Sequence, residues 1–170
     1  MATKASRQTP ASDIPSGAGL HIGIVVSDWN RDITDKLLEG CRATLLAHGV
    51  SENDIVTQRV PGSFELPMGA RLLATGEKFD AIICLGCVIK GETRHDEYIS
   101  QAVANGLMQL SLTSSIPMIF GVLTPNDHAQ AMARAGGKLG NKGDEAAIAA
   151  LQMGTLRKHR TTQPQKIGFS

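Results

Sequence analysis

The chain has little net charge, few aromatic residues and no long apolar run, and each shortage removes a class of function. Seventeen Lys and Arg against sixteen Asp and Glu leave a formal charge of +1. A surface so balanced gives no electrostatic reason to expect nucleic acid or an anionic membrane as a partner. No apolar stretch approaches the ~20 residues of a membrane-spanning helix. Residues 1–19 carry Lys4, Arg7, Pro10, Pro15 and many small polar side chains but no apolar centre, so no secretory signal is read there. They are read as a flexible N-terminal arm that can order against a neighbouring subunit. No GxGxxG follows an expected strand, and GxxxxGK[ST] fails in register around Lys142, which leaves no dinucleotide or P-loop fingerprint.

Cysteine is scarce as well: Cys41, Cys84 and Cys87. Cys84-Leu85-Gly86-Cys87 has CxxC spacing, which could mean redox chemistry or half a zinc site. The pair falls in an expected strand, where residues three apart point to opposite faces. No second CxxC or histidine cluster completes a metal site. Buried structural thiols are expected, in a reducing cytoplasm.

What is present is an alternation of strand and helix signals across 170 residues, enough for one domain with a real core. Residues 21–26 read as a strand. Ile33, Leu37, Cys41, Leu45 and His48 then recur at helical spacing, closed by Gly49. Residues 55–60 form a second strand, and Pro61-Gly62-Ser63 turns into a helix over about 64–75. The apolar run 81–89 is the central strand, and a helix over about 95–112 follows. A fourth strand spans 117–123. Asn126 is expected to cap a helix through about residue 134, followed by a glycine-rich loop and a last helix over 144–158. The expected fold is a three-layer αβα sandwich with a four-stranded parallel sheet, flavodoxin-like. Residues 20–158 make one α/β domain and 159–170 a C-terminal tail; the arm could add an edge strand in an oligomer.

The loops after the strands hold the candidate chemistry, because open α/β sheets bind ligands beyond the carboxyl ends of their strands. The chain has one tryptophan, one tyrosine and four phenylalanines. Trp29, Phe64 and Phe120 fall at expected strand ends or turns, where they plug the core or stack on a ligand. Trp29 lies among Ser27, Asp28, Asn30, Arg31 and Asp32, which favours stacking on a flat ring. Ser63 suits an N-cap, leaving the first helical N–H groups free for a ligand. Glu65 either complements the helix dipole or accepts from ligand hydroxyls and ring N–H groups. Arg134, Lys138 and Lys142 fall among Gly136, Gly137, Gly140 and Gly143, so a loop with free N–H groups suited to an anion is expected. His95 follows the central strand in Gly91-Glu92-Thr93-Arg94-His95. A metal role with Glu92, Asp96 or Glu97 would lack a second histidine; general acid/base work fits better.

These segments resemble a known family. SDWN at 27–30, PGSFELP at 61–67, LGCVIKGETRHDEYI at 85–99, IFGVLT at 119–124 and RAGGKLGNKGDEAA at 134–147 together resemble 6,7-dimethyl-8-ribityllumazine synthases, in order, over about residues 20–158. The resemblance implies the penultimate step of riboflavin biosynthesis: condensation of 5-amino-6-(D-ribitylamino)uracil with 3,4-dihydroxy-2-butanone 4-phosphate, releasing phosphate and water. It implies no metal or organic cofactor and a site between adjacent subunits of a pentamer. It places Trp29, Asn30, Ser63, Phe64, Glu65, Cys87, Val88 and Ile89 at the pyrimidine and ribityl chain. Glu92 and Thr93 would meet the phosphate-bearing substrate, with His95 as proton donor and acceptor. From the next subunit would come Phe120 and Lys142 at the pyrimidine and Arg134 at the phosphate. Two departures stand out: Trp29 where phenylalanine is common, and Asp96 where an aromatic is common. The absence of an insertion at 136–143 implies a shell of sixty subunits. Other readings are a non-catalytic flavin- or lumazine-binding protein on the same scaffold, and a flavodoxin-type FMN carrier, whose hydroxyl-rich phosphate loop the acidic 27–32 segment does not supply.

Overall fold

The computed structural model describes residues 10–162. Two strands with unbroken apolar sequence form the centre of the sheet. β1 (Ile22–Ser27) and β3 (Ala81–Cys87) are buried along their whole length, as strands covered on both faces must be. β2 (Ile55–Val60) and β4 (Met118–Leu123) are the edges, so the order is β2-β1-β3-β4 and every pairing is parallel. α1 (Arg31–Ala47) and α5 (Lys142–Thr162) cover one face, and α2 (Leu66–Gly76) and α3 (His95–Ser114) the other. The expected three-layer sandwich is the observed one.

Two apolar cores result from the period of two along each strand. Ile24, Val26, Ile83 and Leu85 pack under Leu37, Cys41, Leu45 and Leu151. Val25, Ile82 and Cys84 pack under Leu66, Ala70, Val103 and Leu107. Cys84 and Cys87 therefore belong to opposite cores, and all three thiols are free. α1 ends where Gly49 takes φ +91°, a left-handed turn that glycine allows cheaply.

The chain after β4 differs from the expected pattern. Asp127, not Asn126, caps α4 (His128–Ala133), accepting 2.7 Å from the Gln130 N–H. The expected glycine-rich loop is a hairpin, β5 (Ala135–Gly137) against β6 (Gly140–Asn141). Its backbone is engaged rather than free: Lys142 N–H donates to Arg134 O (2.8 Å) and Leu139 N–H to Ala133 O (2.9 Å). α5 begins at Lys142 because Asn141 Oδ1 accepts from Gly143 N–H (2.8 Å), while its Nδ2 donates to Lys36 O of α1 (2.9 Å). Ahead of β1, Gly17 N–H donates to His48 O (2.7 Å) and Leu20 is buried. The rest of the expected arm, residues 1–9, and the tail from residue 163 lie outside the described residues. Among the described residues no helix is long and apolar enough to cross a membrane.

Candidate active site

β1 has β2 on one side and β3 on the other, so the chain reverses its direction of winding at their carboxyl ends and leaves a crevice there. The loops that follow these three strands enclose a cleft of about 720 Å³. It is lined by Trp29, Asn30, Gly62, Ser63, Phe64, Glu65, Cys87, Val88, Ile89, Gly91, Thr93, His95, Asp96, Tyr98 and Ile99.

The first loop is held from both sides. Asp28 and Trp29 N–H donate to Val60 O (2.8 Å) and Pro61 O (3.0 Å), extending the β1–β2 ladder. Asn30 adopts φ +59°, a conformation asparagine tolerates, and its Nδ2 donates to Cys87 O at the end of β3 (3.0 Å). The backbone of Trp29 is thus fixed while its indole is 71 % exposed to the cleft.

The second loop is a 3-10 turn, Ser63–Glu65, that leads into α2. Ser63 does not cap it: Gly62 and Glu65 occupy the two cap positions and neither forms a side-chain cap bond. The Ser63 hydroxyl is buried without a hydrogen-bond partner among the described residues and packs over Gly86, where a Cβ would come within 2.5 Å of it. Phe64 beside it is exposed.

The third loop leaves β3 two residues earlier than the apolar run suggests. Val88 and Lys90 N–H still donate to Leu123 O (2.8 Å) and Pro125 O (3.0 Å), which keeps Val88 and Ile89 extended along the cleft wall. His95 is the first residue of α3, exposed, with no side chain capping the helix at Arg94. Thr93 lines the cleft; Glu92 is exposed outside the lining. Burial pushes the Cys87 thiol up to about 12, and Cys41 and Cys84 likewise, so none is a nucleophile near neutrality.

Asp96, Tyr98 and Ile99 were not anticipated as site residues. Tyr98, in the first turn of α3, is 67 % exposed and faces the cleft. Its spacing of three from His95, one helical turn, was the available signal.

Phe120, Arg134 and Lys142 do not join this cleft within the chain. Phe120 is the third of six residues in edge strand β4, opposite Cys84 and mid-strand rather than near its end. Arg134 and Lys142 share one carboxylate: Arg134 Nη2 lies 2.8 Å from Glu145 Oε1 and Lys142 Nζ 3.2 Å from Oε2. Arg134 Nη1 also donates to Leu139 O (2.7 Å). Burial works against ionisation of Glu145, but the two cations outweigh it and lower its pKa. Among the described residues no cluster of His, Cys, Asp and Glu is arranged to hold a metal.

The sequence matches the family described as 6,7-dimethyl-8-ribityllumazine synthase over residues 19–158. The chain belongs to that family. A 6,7-dimethyl-8-ribityllumazine synthase of Parabacteroides distasonis is 50 % identical over 142 residues, 84 % of this chain and 89 % of the relative. One of Cytophaga hutchinsonii is 51 % identical over 143 residues, covering 84 % and 90 %. One of Bacteroides fragilis is 52 % identical over 134 residues, covering 79 % and 94 %. In this lumazine synthase family member the matched span takes in all three cleft loops, the β5–β6 hairpin and most of α5.

Proposed function

We propose that the chain is an enzyme, a transferase, that condenses 5-amino-6-(D-ribitylamino)uracil with 3,4-dihydroxy-2-butanone 4-phosphate to 6,7-dimethyl-8-ribityllumazine, releasing phosphate and water. The observation that carries this reading is the cleft itself, where the three post-strand loops bring an indole, an imidazole and a carboxylate together in a chain about half identical to synthases along most of its length.

Trp29 stacks on the pyrimidine, with Val88 and Ile89 along its edge and Cys87 at the strand end. Asn30, Ser63, Phe64 and Glu65 hold the ring and the ribityl chain. Ser63 contributes through its backbone, since its hydroxyl is buried against β3. His95 moves protons during imine formation, phosphate elimination and ring closure, with Glu92 and Thr93 beside the phosphate-bearing substrate. The attacking amine belongs to the substrate, so the absence of a low-pKa thiol is no obstacle. Holding two reactants in register can supply ~7–11 kcal/mol of the barrier. No metal or organic cofactor enters this reading. Incubation with both substrates should generate lumazine absorbance and fluorescence; a chain that binds both and forms no product is not a synthase.

Among the described residues, the cleft of one chain is lined by two carboxylates, Glu65 and Asp96, and by no lysine or arginine. A phosphate needs a cation there. This supports completion of the site by a neighbouring subunit's copies of Phe120, Arg134 and Lys142, and hence a homo-oligomer with a pentameric ring. The tight β5–β6 turn supports a shell of twelve pentamers. The domain would comprise residues 20–158 together with the residues that dock against it on either side, from Gly17, tied to His48, to Thr162, where α5 rather than a tail continues past residue 158. Three free thiols suit the cytoplasm. Light scattering should find sixty chains of 18.0 kDa, on the order of a megadalton. A single species of five chains would reject the shell and leave the ring; a monomer that still turns over both substrates would reject the shared site.

A further inference from the structure

Behind the Trp29 loop, and outside the cleft lining, lies a group of charged side chains that the reaction does not use. Arg59 is the fifth residue of β2 and lies beside Val26 of β1. Its Nη1 is 2.9 Å from Asp28 Oδ1, and its Nη2 is 2.5 Å from Asp35 Oδ1. Arg31 is a looser third member, with Nε 3.4 Å from Asp35 Oδ2 and Nη1 3.9 Å from Asp28 Oδ1. The hydrogen bond to Asp35, together with that to Asp28, favours the charged form of Arg59, and the same bond keeps Asp35 ionised to lower pH than usual.

One guanidinium therefore spans from the residue before Trp29 to the second turn of α1. Its planar fork serves two carboxylates at once, which an ammonium cannot do as well. Arg59 is the more buried cation, with its side chain 31 % exposed against 61 % for Arg31. Without it, Asp28 and Asp35 would face each other with only the looser Arg31 between them. The exposed indole of Trp29 stands on this loop, so its direction follows from the backbone at residues 28–30. That backbone is clamped on the β3 side by Asn30 and on the β2 side by two ladder hydrogen bonds. Arg59 supplies the side-chain clamp on the β2 side.

We propose that Arg59 is a positioning residue for ring recognition, acting through Asp28 on Trp29. It tunes affinity for the flat-ring substrate and leaves affinity for the phosphate-bearing substrate unchanged. The proposal rests on the reading of Trp29 as the stacking face.

The test compares the full chain with Arg59→Met, Arg59→Lys, Asp28→Asn and the Arg59→Met/Asp28→Asn double variant. Trp29 is the only tryptophan, so its emission anisotropy without ligand reports its motion directly. Arg59→Met should lower that anisotropy and raise KM for the pyrimidine diamine roughly three- to tenfold, the loss of two partly exposed pairs. Its kcat and its KM for the phosphate-bearing ketone should stay within about twofold. Arg59→Lys should fall between, and the double variant should match Arg59→Met because both changes cut the same link. An unchanged anisotropy and pyrimidine KM in Arg59→Met overturns the proposal. So does an equal rise in both KM values, which marks a general loss of structure. If Arg59→Met does not fold, Asp28→Asn alone decides by the same two readouts. If the wild-type chain forms no lumazine, the functional reading fails, and the anisotropy series still judges the clamp.

Discussion

Truncating Trp29 separates folding from recognition more cleanly than any other change at the site. The indole is 71 % exposed and its loop is held by backbone and Asn30 hydrogen bonds that Trp29→Ala leaves in place. Loss of an exposed side chain of this kind changes stability by no more than about 0.5 kcal/mol. Stacking of a flat heterocycle on an aromatic side chain is worth ~1–3 kcal/mol by alanine substitution. KM for the pyrimidine diamine, and Kd for the lumazine product, should therefore rise about 5- to 150-fold. The stack exists before and during the reaction alike, so kcat should stay within about threefold. Trp29→Phe keeps a flat ring and should recover most of the affinity. Steady-state kinetics with each substrate varied in turn, alongside a thermal melt, provide the measurement. In the wild type, Trp29 emission should be quenched as lumazine binds. An unchanged pyrimidine KM in Trp29→Ala, or unquenched emission at saturating ligand, removes Trp29 from the site. A melt lowered in parallel with the affinity refutes the claim that the loop holds itself.

His95→Ala should slow turnover by roughly one to three orders of magnitude without abolishing it, because proximity supplies much of the rate; a wild-type kcat removes the proton role. Arg134→Ala should raise KM for the phosphate-bearing ketone by the equivalent of about 1.5–3 kcal/mol and barely alter that for the pyrimidine, and the reverse pattern would misplace the phosphate. Gly143→Ala tests the seat of the hairpin, since the new Cβ would lie 2.0 Å from Leu37 O. Backbone blocks it, so destabilisation of about 1–3 kcal/mol and a melt lowered by roughly 2–4 °C per kcal/mol are expected; an unshifted melt means that α1 and α5 separate easily.

The sheet was legible because its two central strands are continuous apolar runs and β2 is bounded by clear turn residues. α1 was equally plain: Ile33, Leu37, Cys41 and Leu45 recur on one face and Gly49 ends it. The β5–β6 hairpin was not, because four glycines in eight residues, 136–143, erase any strand pattern. What fixes it is remote, above all Asn141 reaching Lys36 on α1. Ser63 had the right chemistry for a cap, but α2 starts later, at Leu66, and the hydroxyl turns inward over Gly86. Tyr98 stands in the first turn of α3, and sequence alone does not say whether that turn meets a core or a cleft. The loops at Trp29, Phe64 and His95 could be read as neighbours from the parallel topology, since successive strands deliver their carboxyl ends to one rim. The place of Arg134 and Lys142 away from that rim has no local signal.

The three thiols carry a practical consequence. Cys41 lies in α1, and Cys84 and Cys87 lie in β3 with their side chains in different cores. A thiol reagent meets none of them until the layers part, and each face then announces its own opening. Labelling followed by mass at each cysteine thus becomes an internal clock for breathing of the sheet, resolved by side, in the unaltered sequence. A cysteine introduced on the surface would be the one reactive thiol in the folded described region, ready for a dye or a tether without prior removal of the native three.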